Sequence, residues 1–265
     1  MDFELRGKRA LVSGSTAGIG FAIARALAAE GASVIVNGRT EERTHAAVEK
    51  LRASGLPDAD LTGIAADLGT AEGCATIIRA APEIDVLVNN VGIFEAKPFA
   101  QITDAEWLHF FEVNVLSGVR LSRAYLPGML SRNWGRILFI SSESALQIPV
   151  EMIQYGTTKT AQLAVARGLA EMTVGTAVTV NSILPGPTKS EGVADFVSGL
   201  AAQQGKTPAD VERDFFKHAR PSSLLQRFET PDEIAALTAF IASPRASGVN
   251  GAALRVDGGV VRAIG

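Results

Sequence analysis

The chain has 265 residues, of which 47% are hydrophobic and 20% charged, and 28 acidic against 25 basic side chains give it a formal net charge of −3. That length and apolar share supply a sizeable core and argue against general disorder, and the small negative charge argues against nucleic acid or an anionic membrane as an obligatory partner. Cys74 is the one cysteine, Met1–Arg9 holds no apolar signal core, and no apolar run approaches membrane-spanning length, so a cytoplasmic, soluble protein with no disulfide and no metal is expected.

Ala10-Leu11-Val12 is a short apolar run that reads as a buried strand, and Ser13-Gly14-Ser15-Thr16-Ala17-Gly18-Ile19-Gly20 follows it. Phe21 to Glu30 has a helical, Ala-rich pattern closed by Gly31, and Val34-Ile35-Val36 is a second strand. A glycine-rich turn between a strand and a helix lets backbone amides approach a pyrophosphate, where free N–H groups and the helix dipole favour an anion. The spacing is G-x-x-x-G-x-G rather than G-x-G-x-x-G, so a plain tight turn stays as the alternative. The end of the second strand selects the ribose: an acid holds the 2′-hydroxyl of NAD, and an arginine accepts a 2′-phosphate. Here the residues are Asn37-Gly38-Arg39-Thr40 with no acid before Glu41, so NADP(H) is favoured over NAD(H).

A helix from Glu41 to about Arg52 leads to a third strand, Leu61 to Ala65, and then to Asp67, placed for an adenine edge or for capping the helix that starts near Thr70. Val86-Leu87-Val88 is a fourth strand, followed by Asn89-Asn90-Val91-Gly92, a polar pair and a glycine where an open α/β sheet binds its ligand. A loop from Ile93 to Phe99 precedes a long helical region from about Asp104 to Leu130, continuous or interrupted, within which Asn114 reads by default as a surface asparagine. Ala177-Val178-Thr179-Val180 is a strand ending at Leu184-Pro185-Gly186-Pro187-Thr188. From Ser190 to about Ser223 the chain turns polar and charged around a helical pattern, as an insertion or lid does. Thr230-Pro231-Asp232-Glu233 opens a helix, and Ala253 to Val256 is a last strand before Asp257-Gly258-Gly259. Strands alternate with helices and no linker intervenes, so residues 1–265 are expected to form one domain of the Rossmann type, a doubly wound parallel sheet flanked by helices.

The richest stretch is Ser141 to Lys159. Ile137-Leu138-Phe139-Ile140 reads as a buried strand, so Ser141 and Ser142 sit at its carboxyl end. Pro149 breaks regular structure, and a helix runs from Gln154 to about Met172. Tyr155 and Lys159 are four apart and share a face of that helix, where an ammonium is expected to lower the pKa of a phenol and tune it for proton transfer.

Together these stretches resemble the short-chain dehydrogenase/reductase family in its compact single-domain form, over nearly the whole chain. T-G-x-x-x-G-I-G appears as Ser13 to Gly20, N-N-A-G as Asn89 to Gly92, Y-x-x-x-K as Tyr155 and Lys159, P-G as Pro185-Gly186 and the tail V-D-G-G as Val256 to Gly259. The resemblance implies that Tyr155 exchanges the proton, that Lys159 lowers its pKa and holds the nicotinamide ribose, and that Ser142, thirteen residues before the tyrosine, bonds the substrate oxygen. It implies that Asn114 fixes a water in a proton relay behind Lys159. For the cofactor it points to Gly14, Ser15, Thr16, Gly18, Ile19 and Gly20 in the first turn, then to Arg39, Asp67 and Leu68. Further along it points to Asn89, Val91 and Gly92, to Tyr155 and Lys159 themselves, and to Pro185, Gly186 and Thr188. Gly38 fills the place of the aspartate of NAD-preferring members, whereas Ala17 stands where many NADP-preferring members carry a basic residue.

The expected activity is NADP(H)-dependent hydride transfer between nicotinamide and a carbonyl or secondary alcohol. The substrate wall is expected to include Ser144, Leu146 and Met152, with the 190–223 segment over it. The chain is similar to bacterial sequences labelled 3-oxoacyl carrier-protein reductases, although it lacks an obvious basic patch for an acidic carrier. An NAD-dependent polyol or sugar dehydrogenase and a non-catalytic dinucleotide sensor are the alternatives. By analogy the partners are a small-molecule substrate and other copies of the chain, as a dimer or tetramer.

Overall fold

Strand β1 (Arg9–Val12) lies at the centre of the sheet, with β2 (Ser33–Gly38) on one side and β4 (Val86–Asn89) on the other. β3 (Leu61–Ala65) continues beyond β2, and β5 (Gly135–Ile140), β6 (Val178–Pro185) and β7 (Ala253–Val256) continue beyond β4. The order is therefore β3-β2-β1-β4-β5-β6-β7, with every pairing parallel. The order reverses between β1 and β4, and the crevice at their carboxyl ends is the place where such sheets bind ligands. This computed structural model describes residues 2–264.

Successive residues of a strand point to opposite faces, and the two cores follow that alternation. Ala10, Val12, Val34, Val36, Val86 and Val88 face α1 (Gly18–Ala29), α2 (Glu41–Ala53) and α9 (Pro231–Ala242), where Ile23, Leu27, Leu51 and Ile234 meet them. Leu11, Ile35, Leu87, Ile137 and Phe139 face the other way. There they meet Ile77 of α3 (Ala71–Ala80), Leu121, Tyr125 and Met129 of α5 (Ser117–Ser131), and Ala166 and Ala170 of α6 (Ile153–Glu171). A sheet covered on both faces by helices explains why its strands read as short, unbroken aliphatic runs.

Three features of the fold bear on the site. First, β6 runs to Pro185, where the sequence reading ends it; its polar residues are paired inside the fold, Asn181 Nδ2 donating to Val249 O (2.8 Å) and Oδ1 accepting from Ala252 N (3.0 Å). Second, the helical region from Asp104 splits, as the sequence leaves open, into α4 (Asp104–Phe111), a π-helical turn at Glu112–Leu116 and α5. Third, the polar segment after Ser190 holds two helices, α7 (Glu191–Gln204) and α8 (Pro208–His218), with a small core of their own at Val197, Ala201, Val211, Phe216 and Phe228.

Candidate active site

The glycine-rich turn between β1 and α1 is built from both sides. Asn37 of β2 accepts from Gly14 N at Oδ1 (3.1 Å) and donates from Nδ2 to Ile64 O and Ala66 O (3.1 Å each), while Ser15 N donates to Asn37 O (2.8 Å). From β4, Asn90 Nδ2 donates to the carbonyls of Ser13 and Gly14, both at 3.0 Å. A Cβ on Gly20 would lie 2.4 Å from Asn90 Nδ2 and 2.5 Å from Gly14 O, so the close approach requires glycine there. α1 itself starts at Gly18 behind Ala17, which makes no side-chain cap, and it has no acid in its first turn. By contrast α2, α3, α4 and α7–α9 are each capped by a Thr or Ser hydroxyl. The first amides of α1 are thus left for an anion. Asn89, 3% exposed at the end of β4, donates from Nδ2 to Ser122 Oγ of α5 (3.3 Å), and its Oδ1 has no partner among the described residues. These residues fit a dinucleotide.

Along the rim, Arg39 is exposed just past β2. Gly38 is buried, and a Cβ there would come within 2.5 Å of Thr16 Cγ2. Asp67 is exposed, and its Oδ1 accepts from Gly69 N (3.0 Å); the α3 cap is Thr70, so Asp67 closes its own turn rather than the helix. Leu68 is buried in the core. Thr188 is buried after β6, its hydroxyl donating to Gly186 O (2.9 Å).

β5, the π-helical turn and α6 bring the other predicted residues together. Ser142 lies past β5, accepting at Oγ from Ser144 N (3.1 Å) and donating to Glu143 Oε2 (2.5 Å). Ser142 lies close enough to Tyr155 for its hydroxyl to favour the ionised phenol. Ser141 is turned elsewhere, its hydroxyl donating to Lys159 O (2.9 Å). Asn114 is fully buried, which overturns its default reading as a surface residue. Its Oδ1 accepts from Ile93 N (2.8 Å), and its Nδ2 donates to Ile93 O (3.0 Å) and Thr158 Oγ1 (2.9 Å). The π-helical turn sets Asn114 against α6, a placement such turns often have at functional sites.

Lys159 is 4% exposed; its Nζ donates to Ile140 O (2.9 Å) and Gln162 Oε1 (3.3 Å) and lies 5.6 Å from the Tyr155 ring centroid. Burial pulls its pKa down to about 7. Tyr155 is half-exposed by surface yet ringed by protein atoms, and that desolvation raises its phenol above the ordinary range. The Ser142 hydroxyl and the Arg220 charge pull it down, and the Glu143 charge pushes it up. The phenol depressed by Lys159 that the sequence suggests is therefore not the arrangement here, because desolvation dominates and Lys159 spends its hydrogen bonds on Ile140 and Gln162.

On the substrate side, Leu146 and Ile148 are exposed, Met152 is half-buried, and Phe94 meets Tyr155 edge-on with centroids 6.4 Å apart. Ser144 is buried. Sequence reasoning passed over Glu143, Arg220, Gln154 and Gln162. Glu143 is buried between Ser142 and Arg220, which follows α8, and Gln154 Nε2 donates to Glu95 O (3.0 Å), tying the 93–99 loop to α6. The signal for Glu143 was a charge inside the strand-end motif Ser141-Ser142-Glu143-Ser144.

Glu229 was missed as well. It pairs with Thr188 in a parallel bridge, and its Oε2 accepts from Gly186 N (3.0 Å), beneath the Pro185-Gly186 loop. Burial pushes its carboxyl up to about 7 from 4.5, with the Gly186 amide opposing and the Glu233 and Asp257 charges reinforcing the shift. The folded state therefore holds this proton more tightly than the unfolded chain, and stability is lost as pH rises from 4.5 through about 7. Glu229→Gln is expected to match the wild type near pH 4.5 and to exceed it at about pH 8.5 by up to ~3 kcal/mol, read as unfolding free energy at the two pH values. An equal difference at both would assign Glu229 no buried charge.

The short chain dehydrogenase family profile matches residues 8–200. The oxidoreductase YvaG of Bacillus subtilis is 49% identical over 264 residues, covering 100% of both chains. Among solved structures, L-sorbose reductase from Gluconobacter frateurii, complexed with NADPH and L-sorbose, has a TM-score of 0.93 at 29% identity over 100% of both chains. A 7α-hydroxysteroid dehydrogenase complexed with NADH has a TM-score of 0.84 at 28% identity, over 100% of this chain and 98% of that one. An enzyme of alcohol and carbonyl groups that uses a nicotinamide dinucleotide, this chain belongs to the short-chain dehydrogenase/reductase family.

Proposed function

We propose that the protein reduces a ketone to a secondary alcohol with NADPH, and runs the reverse oxidation with NADP. The observation that carries this reading is the meeting of Ser142 and Tyr155 over buried Lys159 at the carboxyl end of β5, on the same sheet edge as the uncapped start of α1. The bound dinucleotide supplies the hydride. Tyr155 donates the proton to the carbonyl oxygen, and a phenol held above its ordinary pKa is a protonated donor at neutral pH. Ser142 orients that oxygen, and Lys159 holds the ribose. Asn114 fixes the Ile93 loop against α6. Gly14 to Gly20, Asn89 to Gly92, and Pro185 to Thr188 cradle the dinucleotide, with α7 and α8 as the lid of the substrate side. Copies of the chain associate through α4, the π-helical turn and α5, where Leu108 and Leu116 are exposed.

The preference for NADPH rests on Arg39 and Gly38. Arg39 is exposed just past β2, the strand end at which an arginine accepts a 2′-phosphate, and an acid in place of Gly38 would collide with Thr16. Titration of nicotinamide fluorescence is expected to give tighter binding of NADPH than of NADH, and Arg39→Asp to weaken NADPH by roughly 10–100-fold, the equivalent of one charge-assisted phosphate contact. Unchanged NADPH affinity in the variant would remove Arg39 from the site. Turnover of a ketone panel with NADPH tests the activity, and silence on every member with dinucleotide binding intact would overturn it.

A further inference from the structure

Lys159 and Asn114 stand on different elements, α6 and the π-helical turn, and one side chain spans them. Gln162 is one turn beyond Lys159 on α6 and 2% exposed. Its Nε2 donates to the backbone carbonyl of Asn114 at 2.5 Å, and its Oε1 accepts from Lys159 Nζ at 3.3 Å. We propose that Gln162 is a positioning residue of the reaction centre, whose amide clamps the Lys159 ammonium to the Asn114 backbone.

An amide has a donor end and an acceptor end in fixed geometry, and both ends of Gln162 are engaged. An apolar side chain at 162 would leave a buried carbonyl and a buried ammonium each one partner short, which proteins avoid. The clamp also settles what Asn114 does. Its side chain is engaged by Ile93 and Thr158 and its carbonyl by Gln162, so Asn114 acts as an anchor. Unlike a water, an amide keeps its protons, so the Asn114–Gln162–Lys159 bridge orients the ammonium without relaying a proton toward Asn114.

The groups around Lys159 make its charge depend on this amide. α6 contributes Tyr155, β5 the Ile140 carbonyl, the π-helical turn the Asn114 backbone, and the loop after β4 Gly92, where an added Cβ would stand 3.4 Å from Nζ. Tyr155 is the titratable group in that set and stays protonated, so no carboxylate offsets the burial that depresses Lys159. The Gln162 oxygen is one of two acceptors favouring the charged form.

The inference rests on the proposed role of Lys159, so the test has one arm that needs no substrate. In the free protein, unfolding temperature is followed from about pH 5 to about pH 9.5. Native Lys159 loses its proton near 7 and unfolded Lys159 near 10.5, so its contribution to stability rises with pH from about 7 upward, and Lys159→Met removes the rise. Gln162→Met is expected to start the rise about one pH unit earlier, since the charged form has lost an acceptor. Gln162→Asn, too short by a methylene to reach both partners yet polar enough for the buried site, carries the same expectation. In the second arm, the pH at which kcat for NADPH-dependent ketone reduction falls on the alkaline side drops by about one unit in both variants, with KM for the ketone within about twofold. Gln162→Glu, which keeps an acceptor for Lys159, holds that limb at or above its wild-type position. Wild-type pH profiles in both arms, with a uniformly lower unfolding temperature, would reduce Gln162 to a packing residue and overturn the proposal. If the wild type reduces no ketone, the proposed activity fails while the stability arm still decides on Gln162.

Discussion

Tyr155→Phe is expected to lower kcat for ketone reduction by about 10²–10⁴-fold, the usual worth of a positioned general acid, while NADPH is still bound. The substitution keeps the ring, and with it the edge-on contact to Phe94, so the unfolding temperature should change little. What it removes is the hydroxyl that meets Ser142 and the proton that the carbonyl oxygen needs. Single-turnover measurement with NADPH and a competent ketone separates the chemical step from binding. A variant within a few-fold of wild type would mean that solvent or another residue supplies the proton. A variant that loses NADPH binding altogether would mean that the ring, and not the acid, was the contribution of Tyr155.

The fold was legible because parallel strands covered on both faces must be aliphatic, so Ala10 to Val12, Val34 to Val36 and Val86 to Val88 announce themselves. Where a buried strand carries polar residues the signal fades. The second half of β6 holds Asn181 and Ser182, and Asn181 is matched by Val249 and Ala252, about seventy positions away, a pairing no local pattern encodes. The π-helical turn was invisible for a related reason. A shift of backbone register inside a helix leaves the side-chain sequence unchanged, so Asn114 looked like an exposed residue in a helix when it is the buried joint between the π-helical turn and α6.

For the site, a strand end and one helical face brought Ser141 and Ser142 toward Tyr155 and Lys159, and the family resemblance chose Ser142 between them. Spacing did not supply the electrostatics. An ammonium four residues from a phenol suggests mutual attraction, yet the depth of the site desolvates both groups and moves each toward its neutral form. Nor did it supply the supports. Asn37, Asn90 and Gln162 hold the glycine-rich turn and Lys159 through bonds to other elements or to backbone carbonyls, and a lone amide in a sequence carries no mark of such a partner.

The Glu143–Arg220 pair is where the strongest structural penalty is expected. Arg220 follows α8 with its side chain 11% exposed, over the Phe215 ring, and Nε lies 3.2 Å from Glu143 Oε1. Its Nη1 reaches Glu151 at 3.3 Å on the solvent side. Arg220→Ala leaves the Glu143 carboxylate buried with the Ser142 hydroxyl as its remaining side-chain partner, and unpairing a buried ion costs about 3–5 kcal/mol. For a chain of this size that corresponds to a fall of roughly 10 °C in unfolding temperature. Glu143→Ala costs less, because Arg220 retains Glu151. The double variant Glu143→Ala, Arg220→Ala should be more stable than the sum of the two single losses, since neither charge is then left alone. Because Arg220 ties the α7–α8 segment to the residue beside Ser142, proteolysis within 190–223 should quicken in Arg220→Ala and slow again in Arg220→Lys, which restores the charge. Additive losses, or a segment no more open to protease than in the wild type, would mean that the lid is seated by its own apolar core at Val211, Phe216 and Phe228, with the ion pair incidental to it.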